Sequence, residues 1–184
     1  MRLMIIVGSV RPGRNGLPIG RWVETVARSR DGVEVDFVDL AELALPFMDE
    51  PDHPRLQRYT QPHTIAWSER VAAADAVILV MPEYNYSYSP ALKNALDYLH
   101  REWWRKPVGF VSYGGVSGGT RAVVALSVVV GALGMVRTGP AVEINFPGEQ
   151  IADGVFTPNE KQSTILGHVL DELGPLSEAL APLR

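Results

Sequence analysis

Residues 76–81, Ala-Val-Ile-Leu-Val-Met, are apolar without a break. Such a run, with no alternation, is the pattern of a central parallel strand covered on both faces. The rest of the chain alternates short apolar runs with helical periodicity, the layout of a parallel sheet with crossover helices. Leu3–Val7 predicts the first strand. Ile19–Arg28 follows as a helix, with Ile19, Trp22, Val23 and Val26 on one face. Val33, Val35, Phe37 and Val38 mark a second strand ending before Asp39. Residues 45–63 contain Pro46, Pro51, Pro54 and Pro62 and no periodicity, so they read as a long irregular excursion that caps a site or a neighbour.

A second helix is expected over residues 64–74. A third runs from Ser89 to Arg101, with Pro90 at an early position and Ala91, Leu92, Ala95, Leu96 and Leu99 on its apolar face. Val108–Ser112 is the fourth strand, and a glycine-rich segment then leads into a helix over Arg121–Leu133 that Gly134 ends. Met135–Val142 predicts a fifth strand, interrupted by Gly139 and Pro140, and Asn159–Leu180 a last helix. The expected fold is α/β: a doubly wound five-stranded parallel sheet of order 2-1-3-4-5, with helices on both faces and residues 1–184 forming one domain.

Composition narrows the chemistry. The net charge of −4, with no basic cluster, argues against nucleic-acid binding. No run approaches the roughly 18 apolar residues of a membrane span, and the opening Met1–Gly8 is too short for a signal peptide, so a cytoplasmic protein is expected. The chain has no cysteine, which removes disulfides, thiolate metal sites and cysteine nucleophiles together. Any redox chemistry must therefore come from a bound cofactor. His53, His63, His100 and His168 are too scattered for a metal site and read as structural or surface residues.

In a 2-1-3-4-5 sheet the loops after strands one, three and four open on one edge and face one ligand. The first loop, Gly8-Ser9-Val10-Arg11-Pro12-Gly13-Arg14-Asn15-Gly16, offers backbone N–H groups, Ser9, Asn15, two arginines and a helix N-terminus. It lacks the Gly-Lys-Ser/Thr ending of a nucleotide-triphosphate loop and the glycine spacing of a dinucleotide loop, so it suits one terminal phosphate. A tight turn with solvated arginines is the plainer reading. The second loop, Pro82-Glu83-Tyr84-Asn85-Tyr86-Ser87-Tyr88, suits a flat hydrogen-bonding heterocycle. Glu83 reads as an acceptor of backbone N–H bonds rather than a base; the tyrosines either stack on a ring or meet a partner subunit. The third loop, Ser112–Gly119, has four glycines and permits close backbone approach. Lys93 and Asp97 form a surface pair four residues apart, and Tyr98, His100, Trp103 and Trp104 give aromatic surface that suggests a dimer interface, with packing under the domain as the alternative.

Gly8-Ser9-Val10-Arg11-Pro12-Gly13-Arg14, Pro82-Glu83-Tyr84-Asn85 with the following Ala91-Leu92-Lys93-Asn94-Ala95-Leu96-Asp97, and Gly109-Phe110-Val111-Ser112-Tyr113-Gly114-Gly115 together resemble the NADPH-dependent FMN reductase family over residues 3–142. The resemblance implies a flavodoxin-like fold, FMN as cofactor, and NADPH or NADH as hydride donor. It implies a small-molecule electron acceptor such as a flavin, quinone, azo dye or oxidised metal ion, and a homodimer or homotetramer. It puts the FMN phosphate on Ser9, Arg11, Arg14, Asn15 and Gly16, the isoalloxazine along Pro82, Glu83, Tyr84 and Asn85, and its pyrimidine side against Ser112, Tyr113, Gly114 and Gly115. No side chain is then needed as a catalytic acid or nucleophile, because the chemistry belongs to the cofactor. Arg14, Arg55 or Arg58 are the arginines available for a 2′-phosphate. A flavodoxin-type electron carrier is the main alternative, disfavoured by Arg11 and Arg14; a phosphohydrolase or nucleotide-binding regulator using the first loop is the other.

Overall fold

A computed structural model describes residues 1–184. The buried strands β1 (Arg2–Val7), β3 (Ala76–Pro82) and β4 (Pro107–Gly114) form the middle of a parallel sheet, with β2 (Glu34–Asp39) outside β1. The path is β2-β1-β3-β4 and then the fifth position, so strand order reverses between β1 and β3. This is the flavodoxin-like doubly wound arrangement, and its ligand crevice lies at that reversal.

The fifth position departs from expectation. Gly139 and Pro140 divide it into β5 (Val136–Arg137) and β6 (Val142–Asn145), which pair with the start and the end of β4 respectively. The missing N–H of proline makes a continuous ladder impossible there.

One face carries α1 (Gly16–Arg28) and the last helix, α6 (Glu160–Leu180), whose Ile19, Val23, Leu166 and Val169 pack on Leu3, Ile5, Ile78 and Val111. The other carries α3 (Pro62–Ala72), α4 (Pro90–Asp97) and α5 (Thr120–Ala132), where Trp67, Leu92, Leu96 and Leu126 meet Met4, Leu79 and Phe110. These bounds include one short helix the periodicity missed, α2 (Leu40–Leu43). A two-stranded hairpin, β7 (Ile151–Ala152) and β8 (Val155–Phe156), was also missed. No helix is long and apolar enough to cross a membrane.

The aromatic cluster after α4 is a second correction. Trp103 is fully buried, crosses Trp67 edge-on and donates its indole N–H to the Leu96 carbonyl at 3.0 Å. Tyr98 is also buried, and only Trp104 is substantially exposed. Packing under the domain, not an outward aromatic face, accounts for Tyr98 and Trp103. The Lys93–Asp97 pair forms as expected at the surface.

Candidate functional site

Loop one begins where Gly8 N–H donates to the Val80 carbonyl at 2.8 Å, which prolongs the β1–β3 pairing. The chain turns on an Arg14 N–H to Arg11 carbonyl bond of 3.1 Å, with Gly13 in the left-handed region at φ 68°. Helix α1 then starts with Asn15 as a cap whose side chain bonds no amide. The amides of Ser9, Val10, Arg11, Gly13, Asn15, Gly16 and Leu17 all lack an acceptor in the chain. Ser9, Arg11, Pro12, Gly13, Arg14, Asn15, Pro82, Tyr84 and Tyr113 line the resulting cavity of about 280 Å³. Unpaired amides at a helix N-terminus form an anion site.

Its charge is smaller than the sequence suggests. Arg14 forms an ion pair with the buried carboxylate of Asp39, whose other oxygen accepts the Ala41 N–H at 3.0 Å and caps α2. Arg11 is exposed and forms no ion pair, so it is the unopposed cation of the loop. Gly16 lies beneath the cavity and does not line it; a Cβ there would sit 2.5 Å from the Tyr113 hydroxyl.

Loop two closes on itself. Tyr84 and Ser87 exchange both backbone hydrogen bonds, at 2.8 and 2.9 Å, and Asn85 and Tyr86 are left-handed at φ 47° and 71°. That is a two-residue turn of the type that asparagine tolerates and tyrosine resists. Arg121 lies over the Tyr86 ring at 3.9 Å, holding this strained residue, while the Tyr84 hydroxyl bonds that of Ser9 at 2.9 Å. Tyr88 packs against the core instead of facing a ligand.

Glu83 is engaged within the chain. Its carboxylate accepts the Ser117 hydroxyl at 2.7 Å and the Arg121 N–H at 3.2 Å, and it pairs with the Arg121 guanidinium at 2.6 Å. Burial acts to raise this carboxyl, but the bonds from Ser117 and Arg121 and the guanidinium charge outweigh it, so it stays below the usual range. The structural-acceptor reading of Glu83 thus holds.

Ser112 is likewise engaged within the chain. It is fully buried, and its hydroxyl donates to the Gly118 and Val142 carbonyls at 3.0 and 3.3 Å, on the side of β4 away from the cavity. Tyr113, one residue on, lies on the opposite face and reaches loop one. Further along loop three, the amides of Gly115, Val116 and Ser117 are unpaired. Loop three folds this tightly because Gly119, at φ 91°, would place a Cβ 2.7 Å from both the Ser112 Cβ and the Tyr113 N.

Beside Tyr84 lies a second, apolar cavity of about 560 Å³, walled by Val10, Leu40, Ala44, Leu45, Phe47 and Ala95 among others. Its polar side chains are already engaged. Ser89 donates to the Gly8 carbonyl at 2.5 Å, Asn94 donates to the Pro46 carbonyl at 2.7 Å, and Tyr84 is held by Ser9. The excursion supplies this wall and is fastened by Tyr98, whose hydroxyl reaches the Pro46 carbonyl and Asp49 at 3.1 Å. The histidines are structural here: His63 bonds Asp49 and His100 accepts from Arg55.

Sequence reasoning missed Asp39 and Arg121. A carboxylate ending the strand next to β1 and an arginine opening the helix after the glycine loop were the available signals.

An anion cradle at the switch point of a flavodoxin-like sheet, flanked by two ring-sized loops, defines a mononucleotide-binding protein of the doubly wound class. A model of the NADPH-dependent FMN reductase family matches residues 1–147, and the chain belongs to that family. An NAD(P)H-dependent FMN reductase of Schizosaccharomyces pombe is 37% identical over 180 residues, covering 96% of this chain and 89% of that protein. One from Saccharomyces cerevisiae is 37% identical over 156 residues, covering 78% and 81%. The flavoenzyme NAD(P)H:(acceptor) oxidoreductase of Paracoccus denitrificans superposes with a TM-score of 0.77 at 25% identity, covering 97% and 98%.

Proposed function

We propose that the whole chain is one FMN-binding domain and that it works as an NAD(P)H-dependent oxidoreductase on a small-molecule acceptor. The observation that carries the cofactor is the donor set around the smaller cavity: the unpaired amides of Ser9, Arg11, Gly13 and Asn15, the Arg11 guanidinium, and two buried groups without a well-formed hydrogen bond, Arg14 Nε and the Tyr113 hydroxyl. Donors predominate there and no carboxylate is left unpaired, since Asp39 is matched by Arg14, which fits the phosphate end of FMN.

Ser9, Arg11, Arg14, Asn15 and Gly16 hold that end, Gly16 and Asn15 through their amides and Arg14 through the nitrogens that Asp39 leaves free. Pro82, Tyr84 and Asn85 lie along the ring system. Glu83 holds loop three in place, and Gly114 and Gly115 lie at the pyrimidine edge, where the unpaired Gly115 N–H stabilises negative charge. Bound FMN supplies hydride transfer from NAD(P)H and two-electron transfer to a flavin, quinone, azo or similar acceptor. The protein's part is to orient these partners. The apolar cavity, with its polar side chains engaged internally, takes the acceptor's uncharged ring and keeps water from it.

Phe47, Met48 and Leu56 are exposed at and beyond the rim of that cavity. A second copy of the chain covering them gives the homodimer or homotetramer, in the cytoplasm. The family match favours the reductase over a flavodoxin-type carrier. The test is an absorption spectrum of the purified protein, followed by addition of NADPH and a quinone with no other protein. A yellow protein that oxidises NADPH alone is expected; failure to bind added FMN, or turnover only with a separate reductase, overturns the reading.

A further inference from the structure

Tyr113, expected at the pyrimidine edge of the flavin, sends its side chain along the α1 face toward loop one. Register pairs it with Pro82 at the end of β3, and its ring runs along the α1 face of the sheet to end beneath the first turn of that helix. It is 6% exposed, and its hydroxyl lies beside the Ser9 side chain, which is already bonded to Tyr84, with no well-formed hydrogen bond of its own in the chain. A buried unpaired hydroxyl is disfavoured, and phenylalanine would fill the same space without that penalty.

Three observations give the hydroxyl a use. Tyr113 lines the same cavity as Ser9, Arg11, Arg14 and Asn15. Arg14 Nε, the other orphaned group on that cavity, is likewise a donor. The first residue of α1 is Gly16, the residue type that leaves room for the hydroxyl, since any Cβ would lie 2.5 Å from it. Two buried donors and a ring of amides thus converge on one small space.

Resting on the FMN reading above, we propose that the Tyr113 hydroxyl donates a hydrogen bond to the cofactor's phosphate from below, making this residue of β4 a discriminator between FMN and unphosphorylated riboflavin. Burial raises the phenol above its ordinary range, so it keeps its proton and remains a donor at any working pH. With Arg14 matched by Asp39, the site selects its anion mainly with neutral donors, and each one counts.

The experiment titrates FMN and riboflavin, by flavin fluorescence quenching, into the flavin-free full-length protein and its Tyr113→Phe variant, with thermal melts of both free proteins. Losing a hydrogen bond to a charged group predicts a roughly tenfold to hundredfold weaker FMN affinity. Riboflavin affinity should be unchanged, and the free variant should melt at the same temperature or higher, because the lost hydroxyl makes no well-formed hydrogen bond in the free protein. Gly16→Ala, which displaces the hydroxyl without removing it, should also weaken FMN and spare riboflavin. Equal losses for both flavins would place Tyr113 at the ring, and unchanged FMN affinity would remove it from the site; either overturns the proposal. A wild-type protein that binds neither flavin would instead overturn the FMN reading itself.

Discussion

Gly16→Ala tests the packing on which the phosphate cavity is built. The added methyl would lie 2.5 Å from the Tyr113 hydroxyl and 3.3 Å from both Tyr113 Cζ and Val7 Cγ1. Overpacking of this kind costs about 1–3 kcal/mol, and the preference of a helix for alanine returns up to about 1 kcal/mol of it. The net loss is about 1–2 kcal/mol. For a chain of 184 residues that lowers Tm by about 2–8 °C. In a Tyr113→Phe background the nearest atom is gone, the remaining contacts of 3.3 Å need only a small adjustment, and the same substitution should cost under about 0.5 kcal/mol. Thermal and urea melts of the four flavin-free proteins give a coupling of about 1–2 kcal/mol. If Gly16→Ala costs the same in both backgrounds, the hydroxyl does not lie under α1 and the cavity is built differently.

Glu83→Gln keeps the shape of the side chain but removes the charge that gathers Ser117 and Arg121. The Glu83 carboxyl is held below its ordinary value of 4.5, so its contribution is fully present above that pH and disappears as pH falls through the lowered value. The variant should melt below wild type at pH 6–8, with the gap closing in acid; a gap constant down to the acid limit would refute the ion pair. Lys106 is buried, with its ammonium on the Ala72 and Ala74 carbonyls, and burial followed by the Arg184 charge lowers it from 10.5 to about 8. The folded protein therefore binds fewer protons than the unfolded one between these values, so this group adds stability as pH rises from about 8 to about 10.5. Melts across that window should show wild type gaining on Lys106→Met, and a gain in the opposite direction would show the ammonium to be solvated.

The sheet was legible because its central strands are buried on both faces: Ala76–Met81 admits no helical or alternating reading. The strand order rested on reading the alternation of strands and helices as a doubly wound sheet. Other features depend on contacts distant in sequence. Trp103 follows an amphipathic helix, and nothing local says that Trp67, 36 residues earlier, has left a slot for it. The hairpin at Asp153-Gly154 was legible but missed. Both residues are left-handed, as this dipeptide favours between short apolar runs such as Ile151-Ala152 and Val155-Phe156. In loop three, strand alternation places Ser112 and Tyr113 on opposite faces, so both could not have met the same ring edge.

Asp39 shows why the site itself was only half legible. In sequence it is a carboxylate at the end of the second strand, 25 residues from Arg14. The β1–β2 register sets it beside Val7, the residue from which loop one departs, and so makes it the partner of Arg14. The same carboxylate caps α2, the element that leads into the wall of the apolar cavity. Ser9 and Tyr84 join loop one to loop two, and Glu83 joins loop two to loop three through Ser117 and Arg121. The three loops are thus tied in series, in part by Ser9, Glu83 and Tyr84, side chains that sequence alone assigns to the ligand. Such ties hold unpaired amides and orphaned donors in place before anything binds, so the ordering is built into folding and not charged against affinity. The groups left for the ligand are those the ties do not use: the backbone amides, Arg11, Asn15 and the Tyr113 hydroxyl.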